Sequence, residues 1–249
     1  MQSALDEFRI SINRVRELIG LHNSIQAQAT SILDVSDILR SALVLAVSAL
    51  DYYIHEVVTL GMLEIYRGQR SEPPVSRNSS QSAFARFQVS LGSARQDRII
   101  ATDIASWLES EIENIHGSEF VRQPHLISSL TSAISDSLLN RLNSASWLED
   151  EIRERLNYQS FQMPDKIADA IRLISDKKLW DEVSAQMGKE SKKIKEDLDT
   201  IINRRNQIAH EADIIPRLAT GERWPIDESY IEEAVDFIEE VVESIHQIL

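Results

Sequence analysis

The stretch Ile201-Ile202-Asn203-Arg204-Arg205-Asn206-Gln207-Ile208-Ala209-His210 closes a strongly helical segment and sets an arginine on an apolar stripe. The stripe is Ile194, Leu198, Ile201, Arg205 and Ile208, in steps of four, three, four and three. That is the spacing of a helix face turned toward a core. An arginine in such a row needs a partner, because a desolvated, unpaired charge costs several kcal/mol or more. Beside it run Asp199, Asn203, Asn206 and His210, all polar and on one face. Arg205, Asn206 and His210 thus project from one short length of helix, and they are residue types able to bind and cleave a phosphodiester.

The same period extends outward. Leu5, Phe8, Ile12, Val15, Leu18 and Ile19 predict a first helix from Ser3 to about residue 32. A second, from about Asp37 to Tyr66, is apolar nearly all round between Ile38 and Val47 and should be the central helix, with Asp34 or Ser36 as its cap and Arg67-Gly68 as its stop. Gln69 to Ser82, with Pro73-Pro74, predicts a loop. Later helices are expected over Lys177–Met187 and Glu190–His210, the latter broken at Ile214-Ile215-Pro216, and after the cap Asp227. Only 7 Gly and 6 Pro occur, and no alternating strand pattern stands out, so the expected class is all-α. An internal echo is also present: Ala105-Ser106-Trp107-Leu108 returns as Ala145-Ser146-Trp147-Leu148, and Ile134-Ser135-Asp136 as Ile174-Ser175-Asp176, which predicts a duplicated helix-turn-helix unit.

Arg205-Asn206-x-x-x-His210 resembles the R-N-x-x-x-H motif of the HEPN superfamily. Its surroundings strengthen the likeness. Ser160-Phe161-Gln162-Met163-Pro164, then Ile167, Ala170, Leu173-Ile174 and Trp180, lead into Arg-Arg-Asn-Gln-Ile-Ala-His-Glu-Ala-Asp, an order similar to the RiboL-PSP or MAE type of HEPN-like nuclease. The segment Leu43 to Val58 resembles the second helix of that group. The resemblance implies a single HEPN-like helical bundle over residues 1–249, with 70–157 as a helical insertion. It also implies a homodimer in which two motif helices share one composite cleft, an RNA substrate, and the role of a toxin or anti-phage effector held in check by an antitoxin or other regulatory protein.

Composition bounds the alternatives. Cysteine is absent, which excludes disulfides and cysteine metal sites and suits a cytoplasmic protein. The N-terminus lacks a signal-peptide pattern, and the longest apolar run, Ala42 to Leu50, is short, so no membrane span is expected. The net charge of −14 opposes phosphate, so any RNA contact must rest on local cations. From Arg67 to Ile100 six arginines face two acids, whereas from Glu211 to Leu249 eleven acids face two arginines.

Metal-independent RNA cleavage needs a base for the ribose 2′-OH, a cation for the charged phosphorane and an acid for the departing 5′-oxygen. Histidine serves as either acid or base, and arginine grips two phosphate oxygens at once. His210 is the expected acid/base, Arg205 the clamp, Asn206 the orienting residue and Arg204 an accessory phosphate contact. Asp51 and His55, four apart on the second helix, either support the cleft from behind, or Asp51 pairs with Arg205 or orients His55. No metal and no cofactor is expected, since no third ligand lies near Asp51 and His55 and no phosphate-binding glycine loop occurs. Arg205 and His210 lie about 140° apart on an ideal helix, so a shared target requires the arginine to swing over. Two other functions stay open: a non-catalytic helical module that binds RNA, a nucleotide or a partner protein, and a scaffold in which Arg205 is a structural ion-pair partner and His210 a helix cap.

Overall fold

Helical periodicity becomes packing first in α1 (Gln2–Gln28), where Ala4, Leu5, Phe8, Ile12, Val15 and Ile19 are buried in steps of one face. Side chains of the size of Leu, Ile and Phe each stabilise such a face by about 1.5–3 kcal/mol when fully buried. The computed structural model describes residues 1–28, 34–74, 109, 112–113, 115–124, 129–136, 146–216 and 221–249. Helix α2 (Ser36–Tyr66) is buried almost all round, from Leu39 to Leu63. Asp34 accepts a hydrogen bond from the Ser36 amide at 2.9 Å, and Gly68, in the left-handed region at φ 69°, follows its end. By length and composition α2 could cross a membrane, a test that the short uninterrupted run Ala42–Leu50 did not foretell. Here it is the core helix, with α1 and three later helices packed around it.

Short helices follow: α3 (Ser118–Arg122), α4 (Ser146–Asn157), α5 (Pro164–Ile171) and α6 (Leu179–Met187). Pro164 opens α5, where a first turn tolerates a missing N–H. The Trp180 indole donates to the Pro164 carbonyl at 2.9 Å and ties α6 to α5. Gly188 closes α6 in the left-handed region. The motif helix is α7 (Ser191–Glu211), and the last is α8 (Glu228–Ile248), capped as expected by Asp227, which accepts from the Tyr230 amide at 2.9 Å. Helices α1, α5, α7 and α8 surround α2. The described residues form no strand, and one isolated bridge joins Ile214 to Arg223. The fold is all-α.

Two compact units emerge. The larger joins Met1–Ala83 to Arg153–Leu249, and the smaller is Phe84–Ile152. The smaller unit, which holds α3 and most of α4, has buried Ile112, Ala133 and Leu148, and His116 stacks on Phe120 with ring centroids 4.7 Å apart. Most of the expected loop Gln69–Ser82 and of the first copy of the repeated Ala-Ser-Trp-Leu unit lies outside the described residues, as do residues 29–33 at the expected end of the first helix.

Candidate functional site

Helix α7 contributes Ile194, Leu198, Ile201 and Ile202 to the core and then loses its burial. From Arg204 onward its residues are half-buried or exposed, so the predicted stripe leaves the core one turn before the motif ends. There α7 faces the segment that links α4 to α5. Between them lies a cleft of about 520 Å³. Arg205, Asn206, His210 and Ile202 line one side, and Tyr158, Gln162 and Lys166 are prominent on the other. The three residues expected to act together therefore do share one cavity within a single chain, despite the angular separation of Arg205 and His210.

The opposite wall is fixed by Asp51. Its carboxylate accepts from the Phe161 amide at 2.6 Å and from the Gln162 carboxamide at 2.9 Å. Phe161, 2% exposed, is thereby pinned against His55, whose ring centroid lies 4.6 Å from its own. The His55 Nε2 stands 3.7 Å from Asp51 Oδ1. Asp51 thus anchors the segment facing the motif helix and sits beside His55; the direct pairing with Arg205 that was one expectation does not appear as an ion pair. Neighbouring Glu56 holds Arg153 through two bonds of 2.6 and 2.9 Å.

Arg205 is unusual in what it lacks. Its Nη1 donates to the Asn206 carboxamide at 3.0 Å, while its buried Nε has no partner among the described residues. Burial pushes the guanidinium pKa down, and the Asp51 charge acts in the opposite direction. A half-buried guanidinium with spare donors at the wall of a cleft is the arrangement that an incoming anion satisfies. Asp199, lower on the same helix, also keeps one buried carboxylate oxygen without a partner, and burial raises its pKa, with Asp165 adding to the rise.

Arg204 goes elsewhere. Both of its Nη atoms bind the Asp213 carboxylate, one at 2.9 Å, and Nη2 also donates to the Pro225 carbonyl at 3.1 Å. Asp213, 1% exposed, receives Arg40 Nε at 2.7 Å as well. Arg204 lines a different groove. The accessory phosphate contact expected of it is not what the geometry offers, because a buried carboxylate already takes its donors. Lys166, exposed on the first turn of α5 and without an ion pair among the described residues, reaches the cleft instead. Sequence reasoning passed over Lys166, Tyr158 and Asp213. A trace of the first two existed: Pro164 fixes the start of α5 and hence the outward position of Lys166, and Tyr158 follows a helix whose buried stripe has already ended. Tyr158 is 86% exposed.

No group of three or more His, Asp or Glu side chains is arranged to hold a metal ion among the described residues. No curated protein and no solved structure matches the chain. A family model described as RiboL-PSP-HEPN matches residues 9–249, from the second turn of α1 through the motif helix to the end of α8. With the Arg-Asn-x-x-x-His helix set against the segment anchored by Asp51, and with that match over almost its whole length, the chain belongs to the RiboL-PSP-HEPN family.

Proposed function

We propose that the protein is a metal-independent endoribonuclease in which Arg205 and His210 act on one phosphodiester. The observation that carries this reading is the convergence of Arg205, Asn206 and His210 on one open cleft, with the guanidinium incompletely satisfied. The ribose 2′-oxygen attacks phosphorus while a base removes its proton. The phosphorus–5′-oxygen bond breaks as an acid protonates the departing oxygen. The products are a 2′,3′-cyclic phosphate and a 5′-hydroxyl. Arg205 neutralises the equatorial oxygens, Asn206 holds the guanidinium in place, and Lys166 contacts a flanking phosphate. Base and acid require two proton-transfer groups, whereas one chain presents a single exposed imidazole of the motif to this cleft. A homodimer that apposes two motif helices supplies the second His210. A regulatory protein partner would restrain such an enzyme, and a toxin or defence role is the setting that fits it.

The net charge of −14 favours a second reading, a module that holds RNA without cutting it. One experiment separates the two. Wild type and the Arg205→Ala and His210→Ala variants are incubated with total RNA in EDTA, and the new ends are identified chemically. Cleavage leaving cyclic phosphates, reduced in each variant by about 10²–10⁴ as expected for loss of an acid/base or clamp, supports the nuclease. Retention of RNA with no cleavage by wild type overturns it in favour of the module.

A further inference from the structure

Helices α7 and α8 both pack on α2, yet they make little contact of their own among the described residues, and a groove runs between them. Its two chambers, of about 580 and 280 Å³, share Thr200 and Tyr230. One wall is aromatic. Trp224, 42% exposed, stands at one end, followed by Tyr230 and Phe237. Seven residues of helix place the last two rings about 10.5 Å apart along the axis. The other wall carries Asn203 and Gln207, four residues apart on α7, and neither carboxamide has a hydrogen-bond partner among the described residues.

Asp227 lines the larger chamber beside Arg204, whose charge Asp213 already meets, and Asp197 and Glu233 line the smaller one. Asp227 caps α8 through Oδ1, and backbone and hydroxyl donors hold its pKa below the usual carboxylate range. Asp197 lines the second chamber and already faces Lys193 at 2.6 Å. Other acids of α8 are engaged across the bundle: Glu243 by Arg9, Asp236 and Glu239 by Arg16, and Glu240 by Lys189. Glu233, at the groove, has no ion pair among the described residues. The chain also shows what this wall accepts. Lys189 Nζ lies 5.5 Å from the centre of the Phe237 ring while binding Glu240 at 2.6 Å, an ammonium held between an aromatic face and a carboxylate.

We infer that this groove receives an extended lysine- and arginine-rich segment of a partner protein. A carboxamide both donates and accepts, so Asn203 and Gln207 can bracket the N–H and C=O groups of a peptide backbone. The aromatic faces take the aliphatic stems and cationic heads of long basic side chains. Asp227 and Glu233 complete the charge match. At about 3.3 Å per residue, the span from Tyr230 to Phe237 holds about three residues of extended chain. A nucleic-acid strand would instead meet carboxylates along the rim. The inference is independent of RNA cleavage, since the groove lies apart from the Arg205 cleft and shares none of its lining residues.

The test is fluorescence anisotropy of full-length protein with fluorescein-labelled Gly-Lys-Arg-Lys-Arg-Gly, its all-D form and its glutamate counterpart. The L-peptide should bind, the glutamate peptide should not, and the D-peptide should bind at least about fivefold more weakly. Asn203→Ala with Glu233→Gln should weaken L-peptide binding about tenfold, while Glu182→Gln, which removes an exposed charge on α6, should change it less than about twofold. Both substituted groove residues are solvent-exposed, so the fold is retained. Equal binding of L- and D-peptides, or equal losses in the two variants, leaves only attraction to the net charge and overturns the inference. Binding of adenosine or uridine without the peptide overturns it in favour of a nucleoside site, and absence of all binding overturns it outright.

Discussion

At the scale of single residues, Asp213 is the acceptor on which two arginines converge. It accepts from Arg40 at 2.7 Å and from both Nη atoms of Arg204, and so joins the start of α2 to the end of α7. Both Ala212 and Asp213 adopt positive φ, at 50° and 59°. That conformation, and not the later Ile214-Ile215-Pro216, ends the helix, because two left-handed residues take the backbone out of the α-helical path. Asn tolerates the same conformation, so Asp213→Asn isolates the loss of charge. The buried Arg40 guanidinium and the half-buried Arg204 guanidinium would then lose the carboxylate they share. Denaturant unfolding should show a loss of about 3–5 kcal/mol, the cost of breaking a buried pair on one side. A loss below about 1 kcal/mol, the level of an exposed pair, would show that the network is solvated.

At the scale of helices, the cleft depends on how closely α2 meets its neighbours. Gly61 on α2 stands against Ile174, just beyond α5; a Cβ at position 61 would fall 2.8 Å from Ile174 Cγ2. Gly61→Ala should therefore destabilise the bundle by about 1–3 kcal/mol through overpacking, although alanine is the better helix former. Thermal melting of Gly61→Ala beside Gly61→Ala/Ile174→Val, in which one crowding carbon is removed, checks the cause: partial recovery in the double variant is expected. The same α2 supplies Asp51, which pins Phe161 and so holds the wall that faces Arg205 and His210. One helix thus provides both the packing platform and the anchor for the cleft.

At the scale of the whole molecule, charge and protonation dominate. The first helix answers the acidity of the last one: Arg9 and Arg16 meet Glu243, Asp236 and Glu239. Such exposed pairs contribute little each, about 0–1 kcal/mol, but they reduce repulsion along α8. Near its end, burial lowers the pKa of His246, beside the Tyr53 hydroxyl at 3.3 Å; Glu243 and Asp6 oppose the shift, while Arg9 and the N-terminal amine add to it. The unfolded chain therefore takes up this proton at a higher pH than the folded one. The stabilisation is complete above the unfolded value, about 6.5, and is lost as pH falls through the lower folded value. The melting temperature should drop between about pH 7.5 and 5.5, and His246→Phe should reduce that drop. An identical pH dependence in the variant would remove His246 from the account.

The sequence by itself determined the class, the central place of α2, the cap at Asp227, and the grouping of Arg205, Asn206 and His210. All of these follow from local rules: the helical period, the side-chain chemistry of helix starts, and the short reach between neighbouring turns. The tertiary structure decided the rest. Arg204 and Arg205 are adjacent and chemically identical, yet one is held by a buried carboxylate while the other faces the cleft with donors to spare. Adjacent residues of a helix point about 100° apart, and what each meets depends on segments distant in the chain. Asp213 and Trp224 stand on one side, and Tyr158 and Lys166 on the other. Hydrophobic periodicity locates a helix and the face it buries, but it carries no information about which distant polar group completes the remaining faces, and at this motif that group separates an arginine held by a buried carboxylate from one that faces the cleft.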